Sequence, residues 1–501
     1  MSELKKISGG VLFKTIANFV FMGLGFVISV ILNRHYGKET YGLLTLVYTV
    51  TGLFSGISDI GSGSAVIKYL PKYLKQKDNK NAIGIIEAGL LLQLLGIFLV
   101  AGLILSTVRL IALSFFHRPE LIPLLYAGVM YFALFSLMDY LFSVFQGFES
   151  WRKEALLNIL YPLIYLLLIA LVIRLGYGIK IILLANGLSA FLVIVLGIML
   201  MPPQIKKIFD FKYKIQEILQ YGKDMIHFGL PLIFINLNFS LVMWMDKAIL
   251  GRYAPLKDVT LYFIAFNFIT VIYLFTKTFF TVFMPFLAKL DIDDKHGTQT
   301  KFTIIFRWFL HTGIIASIAS FFIIKPIILS CYGQDYYPSV PAFRLMLLAL
   351  ILRSAYNPVG MFVVNVFGKT KRSLVVSTIS MIINIFLNIL LIPQFGFRGA
   401  IIAGIIAYLI YWIISIYAFP QIRELIPYGI TLKTFAIFSV VGILTFGLFT
   451  IGIRNAYILT ILSLFSYLAF LRLFNEINSD DISLLKSVLK NIKKSIIMEA
   501  A

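Results

Sequence analysis

Long apolar runs separated by short polar breaks follow one another along the whole chain. They fall at about 11–32, 43–67, 82–105, 121–145, 155–173, 181–201, 226–250, 259–288, 304–324, 341–367, 374–392, 399–418, 434–452 and 456–471. Each can cross a ~30 Å hydrocarbon core at ~1.5 Å of rise per residue. Hydrocarbon offers no partner to an exposed backbone group, so runs of this length must be helices. The pattern predicts an all-α integral membrane protein with about fourteen transmembrane helices. Composition points the same way: 60% of the 501 residues are hydrophobic and 13% charged, against roughly 25% charged in soluble domains. The first run is too long for the apolar region of a cleaved signal peptide and is expected to stay in the membrane.

The basic residues give the orientation. Of the 44 Lys and Arg, 27 fall on the side holding the N-terminus, the C-terminus and the breaks between even and odd runs, against 11 on the opposite side. The positive-inside bias predicts a multi-pass protein of the cytoplasmic membrane with both termini in the cytoplasm. The same bias accounts for the net charge of +21, which in a soluble chain would suggest nucleic acid; no nucleic-acid partner is expected here. The tail 475–501 carries Leu484, Leu485, Val488, Leu489 and Ile492 at helical spacing between lysines. That pattern predicts a helix lying on an anionic inner leaflet.

A weak internal repeat at an offset of about 220 residues divides the chain. Asn18-Phe19 returns as Asn238-Phe239, and RLGYG (174–178) as PQFGF (393–397). The division expected is two pseudo-symmetric six-helix lobes, 1–205 and 206–420, then two C-terminal helices in 421–474 and the cytoplasmic tail 475–501.

Enzyme signals are weak. The DIDD run (291–294) resembles a sugar-nucleotide DxD motif but sits in a short loop, where a solvated charge run is the simpler reading. The five histidines lack metal-ligand spacing, the single cysteine, Cys331, excludes a disulfide, and no P-loop motif occurs. The chain is read as a non-enzyme without metal or cofactor.

Charges inside the runs carry more information, since each costs ~2.5–3.5 kcal/mol at mid-bilayer even on the lenient scale. Six cations lie inside: Lys14, Lys247, Lys277, Arg307, Arg344 and Arg353. Lys14 and Arg307 on the cytoplasmic side, and Lys247 and Arg344 on the outer side, are near enough to the faces to snorkel or to line a cavity. Lys277 and Arg353 are near mid-span, where a water-filled cavity or a structural salt bridge is required. Arg353 and Asn357, and likewise Arg307 and His311, are four residues apart and share a helix face. Among the acids, Asp59 shares its face with Gly52, Gly56 and Gly63 and could pack lobes, pair with a cation such as Lys14, or gate. Ser377, Ser380, Asn384 and Asn388 form a polar stripe that is either interhelical glue or cavity lining.

Four stretches then carry a family resemblance: NRHYGKETYGLLTL (33–46), GSGSAVIKYLPKYL (61–74), MDKAILGRYAPLKDVTLYFIAF (245–266) and INIFLNILLIPQFGFRGAIIAGIIAY (383–408). In order and spacing they resemble the polysaccharide transporter (O-antigen-type flippase) branch of the multidrug/oligosaccharidyl-lipid/polysaccharide flippase superfamily. Asp246 and the positions Asn384, Asn388, Pro393, Gly396, Gly399, Ala400 and Ala403 match its motifs. The resemblance implies alternating access between two lobes and a polyprenyl-pyrophosphate-linked oligosaccharide as substrate. It also implies basic cavity residues for the pyrophosphate, and in relatives that flip cell-wall precursors the last two helices form a groove for the lipid tail. Lys277, Arg353, Lys14, Arg307, Asn357 and His311 are the cavity candidates; Asp59, Asp246 and Lys247 are candidates for gating or ion coupling. The partners expected are the lipid-linked glycan, membrane lipids and the enzymes of polysaccharide biosynthesis, around a monomer. The alternatives are a multidrug or cation antiporter of the same superfamily, which would favour cavity acids, and a membrane glycosyltransferase or polymerase, which would need a large catalytic outer loop.

Overall fold

The computed structural model describes the backbone over 2–201, 215–287 and 295–476, and side chains over 13–201, 221–230, 232–274, 276 and 297–476. The expected tail helix at 477–501, the DIDD run and the side chain of Lys277 lie outside the described residues.

Helices account for every regular element among the described residues. In chain order they are α1 (Ser2–Ser58), α2 (Ser62–Lys75), α3 (Asn79–Arg109), α4 (Leu121–Gly147), α5 (Trp151–Arg174), α6 (Ile179–Leu200), α7 (Ile215–Tyr253) and α8 (Leu256–Leu287). Then follow α9 (Lys295–Cys331), α10 (Ser339–Met361), α11 (Thr370–Phe395), α12 (Phe397–Ala418), the short α13 (Pro420–Leu425), α14 (Tyr428–Thr450) and α15 (Ala456–Leu473). Among the described residues, thirteen stretches are long and apolar enough to cross a membrane. One of them, Phe13–Ser58, has 46 residues, about twice what a ~30 Å core needs. It is broken at Gly37, whose φ of 77° and ψ of 171° no helix contains. Glycine tolerates that left-handed φ without a Cβ penalty. Counted as two spans, this stretch brings the number to the fourteen expected.

Side-chain caps mark some of the other boundaries. Asp78 Oδ1 accepts the Asn81 amide 3.0 Å away at the start of α3, and Asn455 Oδ1 accepts the amides of Tyr457 and Ile458 at the start of α15. Both satisfy helix donors that lack an intrahelical partner. The second apolar run does not end as one helix. It stops at Ser58, turns through Asp59–Gly61 and restarts as α2.

The chain forms two compact units, Met1–Thr260 and Leu261–Ala501. In the first, Val66, Leu70, Ile85 and Met225 join α2, α3 and α7 in one core, while Leu141, Phe145, Leu157 and Val193 join α4, α5 and α6 in another. In the second, Phe302, Phe306, Phe309 and Ile351 of α9 and α10 pack with Tyr411, Ile437 and Tyr467 of α12, α14 and α15. By packing, α7 therefore belongs with α1–α6. Outward positions are also apolar, as at Phe98, Leu167, Ile443 and Phe465, all at least 71% exposed. Such a surface suits hydrocarbon rather than water.

Candidate functional site

The second unit holds an arginine with no carboxylate beside it among the described residues. Arg353 lies in the middle of α10, half-buried. Its guanidinium carbon sits 3.4 Å from the ring centre of Tyr273 on α8. Tyr408 of α12 and Tyr356 of α10 are also close enough to interact with it electrostatically. Tyr356 is fixed in turn, its hydroxyl hydrogen-bonded to that of Tyr411 and the two ring centres 4.0 Å apart. Among the described residues no acid pairs with Arg353. Rings of this kind lower the cost of a cation through their π faces, by about 0.5–2 kcal/mol each, and leave its charge uncancelled. Asn357, also half-buried, stands one turn further along the same face. Lys277 stands one turn after Tyr273 along α8.

The other cavity candidates of this unit lie elsewhere. His311 on α9 is buried, its Nδ1 3.0 Å from the Tyr467 hydroxyl on α15. Arg307, one turn earlier, is only 9% exposed. A snorkelling side chain would be exposed, so Arg307 does not snorkel; His311 belongs to the face between α9 and α15. On the polar stripe of α11, Ser380 donates to the Ala407 carbonyl of α12 at 3.1 Å and Asn388 donates to Asn384. The Ser380 bond is interhelical glue. At the following turn the backbones close up, since a Cβ on Gly399 would lie 2.3 Å from the Leu391 carbonyl oxygen.

In the first unit Lys14 pairs with Glu154 on α5 at 3.2 Å rather than with Asp59. Gln146 donates to the same carboxylate at 3.0 Å. Asp139 lies near enough to interact electrostatically with both Lys14 and Glu154, and with Asp59. Glu154 was not legible as a partner because it follows Trp151, Arg152 and Lys153 in what reads as a loop. Asp59 instead caps the restart after the helix break: its Oδ1 accepts from Ser62 Oγ at 2.9 Å and from the Gly63 amide at 3.2 Å. Two glycines of the face that Asp59 was grouped with, Gly52 and Gly56, meet α7, whereas Gly63 meets Ser143 of α4. A Cβ on Gly52 would lie 2.3 Å from Trp244, on Gly56 2.6 Å from the Asn236 carbonyl oxygen, and on Gly61 2.2 Å from the Gly229 Cα.

Lys247 does not snorkel either. It is 1% exposed, with Nζ 3.2 Å from Asp246 and a bond to the Met243 carbonyl. The adjacent carboxylate stabilises the ammonium in place. Lys247→Met should lower the thermal midpoint strongly, by an amount equivalent to about 3 kcal/mol or more, because it leaves a buried carboxylate without its countercharge. The double variant Asp246→Asn/Lys247→Met should recover most of the loss, and melting curves of the purified variants check the pair.

A model of the family described as polysaccharide biosynthesis protein matches residues 7–291. An uncharacterized membrane protein of Methanocaldococcus jannaschii is 22% identical over 456 residues, covering 85% of this chain and 86% of the relative. The probable flippase AglR of Haloferax volcanii is 25% identical over 196 residues, covering 38% of this chain and 41% of AglR. Among solved structures, the lipid II flippase MurJ in an inward closed conformation superposes with a TM-score of 0.73 at 17% identity, covering 93% of this chain and 99% of MurJ.

Proposed function

We propose, from the premise that the chain belongs to the polysaccharide biosynthesis protein family, that it is a flippase for polyprenyl-pyrophosphate-linked oligosaccharide or polysaccharide units, working by alternating access. The observation that carries the reading is Arg353: a mid-span cation held by phenol rings and paired with no acid among the described residues. A charge kept there at a cost of ~2.5–3.5 kcal/mol or more needs water or an anion. A pyrophosphate supplies the anion. Crossing hydrocarbon unsolvated would be prohibitive for it, and the guanidinium plane matches its oxygens two at a time. Lys277 is assigned the second contact and Asn357 a neutral donor beside them. The tyrosines around Arg353 offer flat, amphipathic faces of the kind that stack on sugars. Asp59, at the break between α1 and α2, and the glycine face against α7 are assigned to the gate in this reading, and Asp246–Lys247 to holding α7 rigid.

Movement outward of an anion across a membrane negative inside is favourable by ~2.3 kcal/mol per charge per 100 mV, so the step needs no nucleotide. The test is a proteoliposome assay with a fluorescent polyprenyl-pyrophosphate oligosaccharide and an impermeant quencher. Inner-leaflet probe should become quenchable without nucleotide far faster than in empty vesicles. Exchange of a cationic dye for Na⁺ or H⁺, with the glycolipid immobile, would instead identify an antiporter.

A further inference from the structure

A second cationic feature lies on the lipid-facing flank of the second unit, away from Arg353. A cavity of about 550 Å³ runs between α9, α10, α14 and α15. Its walls are apolar, with Ile318 and Phe321 from α9, Leu347 and Leu348 from α10, and Phe446 and Phe449 from α14. Leu348, Phe446 and Phe449 are 45–68% exposed, so the cavity is a groove open to whatever solvates the flank. The serine and threonine hydroxyls among its lining are already satisfied, those of Thr445 and Ser463 lying 2.9 Å apart and that of Ser317 donating to the Gly313 carbonyl.

One end of the groove differs. Lys325 in the last two turns of α9, Arg344 in the second turn of α10 and Arg454 in the α14–α15 connection all line the same end, the one expected to face outwards. Arg344 is aimed by its Nε bond to the Phe321 carbonyl at 2.9 Å and by stacking 4.6 Å from the Phe321 ring. Lys325 lies 5.8 Å from the Tyr337 ring at the same rim. None of the three pairs with an acid among the described residues.

We propose that this groove is a resident site for an anionic phospholipid of the surrounding leaflet, one acyl chain lying between the helices and the phosphate held by Lys325, Arg344 and Arg454. An apolar slot of this size, ending in three uncancelled cations and an aromatic rim, has the chemistry of a phosphate-headed lipid: arginine binds phosphate oxygens in a fork, and basic pockets between transmembrane helices collect anionic headgroups. A neutral lipid would leave the cations unmatched, and a protein helix would bring no phosphate to them. The occupant would tie α14 and α15 to α9 and α10. The inference is independent of what the protein transports.

The test is native mass spectrometry of the full-length protein in detergent, titrated with phosphatidylglycerol, phosphatidylcholine of the same chains, and a polyprenyl phosphate. Phosphatidylglycerol should bind at least tenfold more tightly than phosphatidylcholine. Lys325→Gln/Arg344→Gln/Arg454→Gln should abolish that preference. Arg454→Gln alone should weaken it several-fold, and because Arg454 is exposed in a connection, this variant keeps the fold. Equal binding of the two phospholipids, a preference unchanged in both variants, or Arg454-dependent displacement of phosphatidylglycerol by equimolar polyprenyl phosphate would each overturn the proposal.

Discussion

Arg353→Ala is expected to reduce translocation of a pyrophosphate-linked glycolipid by about 10- to 150-fold, with the protein folded and in the membrane. The magnitude is that of one charge-assisted hydrogen-bonding site, ~1.5–3 kcal/mol. Stability should hold, because the guanidinium makes no ion pair that its removal would break among the described residues, and losing an uncompensated buried charge removes a cost. Arg353→Lys should retain part of the activity: the charge stays, whereas the forked geometry and the stacking on Tyr273 are lost. Lys277→Ala should behave like Arg353→Ala. Initial flipping rates in proteoliposomes, normalised to inserted protein, check all three. Full activity in Arg353→Ala would remove the pyrophosphate role.

Gly61→Val should be the most damaging of the small-residue changes. Gly61 has φ +81°, and a Cβ there would lie 2.2 Å from the Gly229 Cα. The first fact costs ~1–2 kcal/mol in a non-glycine residue, and the second adds ~1–3 kcal/mol of overpacking between two backbones that have no side chain to move aside. Together they should force α2 and α7 apart, with a loss of about 2–5 kcal/mol and of transport. Gly102→Ala is the control. It faces open space and exchanges glycine for a better helix former, so its melting point and flipping rate should match the parent or exceed it slightly. Melting curves and flipping rates of both variants, side by side, separate the clash from a general intolerance of change.

Much of this was legible in the chain because the bilayer imposes a simple rule. Runs of about twenty apolar residues have one solution, so the spans could be read directly; the break at Gly37, with its non-helical φ and ψ, divides the long first stretch into two of them. The glycine face at Gly52, Gly56 and Gly63 announced a close helix approach, but its partners, α7 for Gly52 and Gly56 and Ser143 of α4 for Gly63, lie far along the chain and leave no local signal. Depth was readable for Arg353, which needed a cavity or a partner. Its ring of Tyr273, Tyr356 and Tyr408 was not, since tyrosines in an apolar helix look the same whether they face lipid, core or ligand. Pairings were the hardest. Lys14 found Glu154 and His311 found Tyr467; both depend on which helices are adjacent, and sequence spacing is silent on that, whereas Lys247 turned to its chain neighbour Asp246. Lys247 and Arg307, placed by the sequence where they could snorkel or line a cavity, are both buried by the packing around them.

The claim at the centre is that the face of α10 carrying Arg353 and Asn357 is wet and ligand-accessible at mid-membrane. Because Cys331 is the single cysteine, Cys331→Ser/Asn357→Cys places one thiol a turn from an intact Arg353. A membrane-impermeant thiol reagent should modify it from either side of oriented vesicles, and polyprenyl-pyrophosphate oligosaccharide should protect it whereas a neutral prenol does not. A thiol that reacts from neither side, or one that the glycolipid leaves fully reactive, would contradict the account.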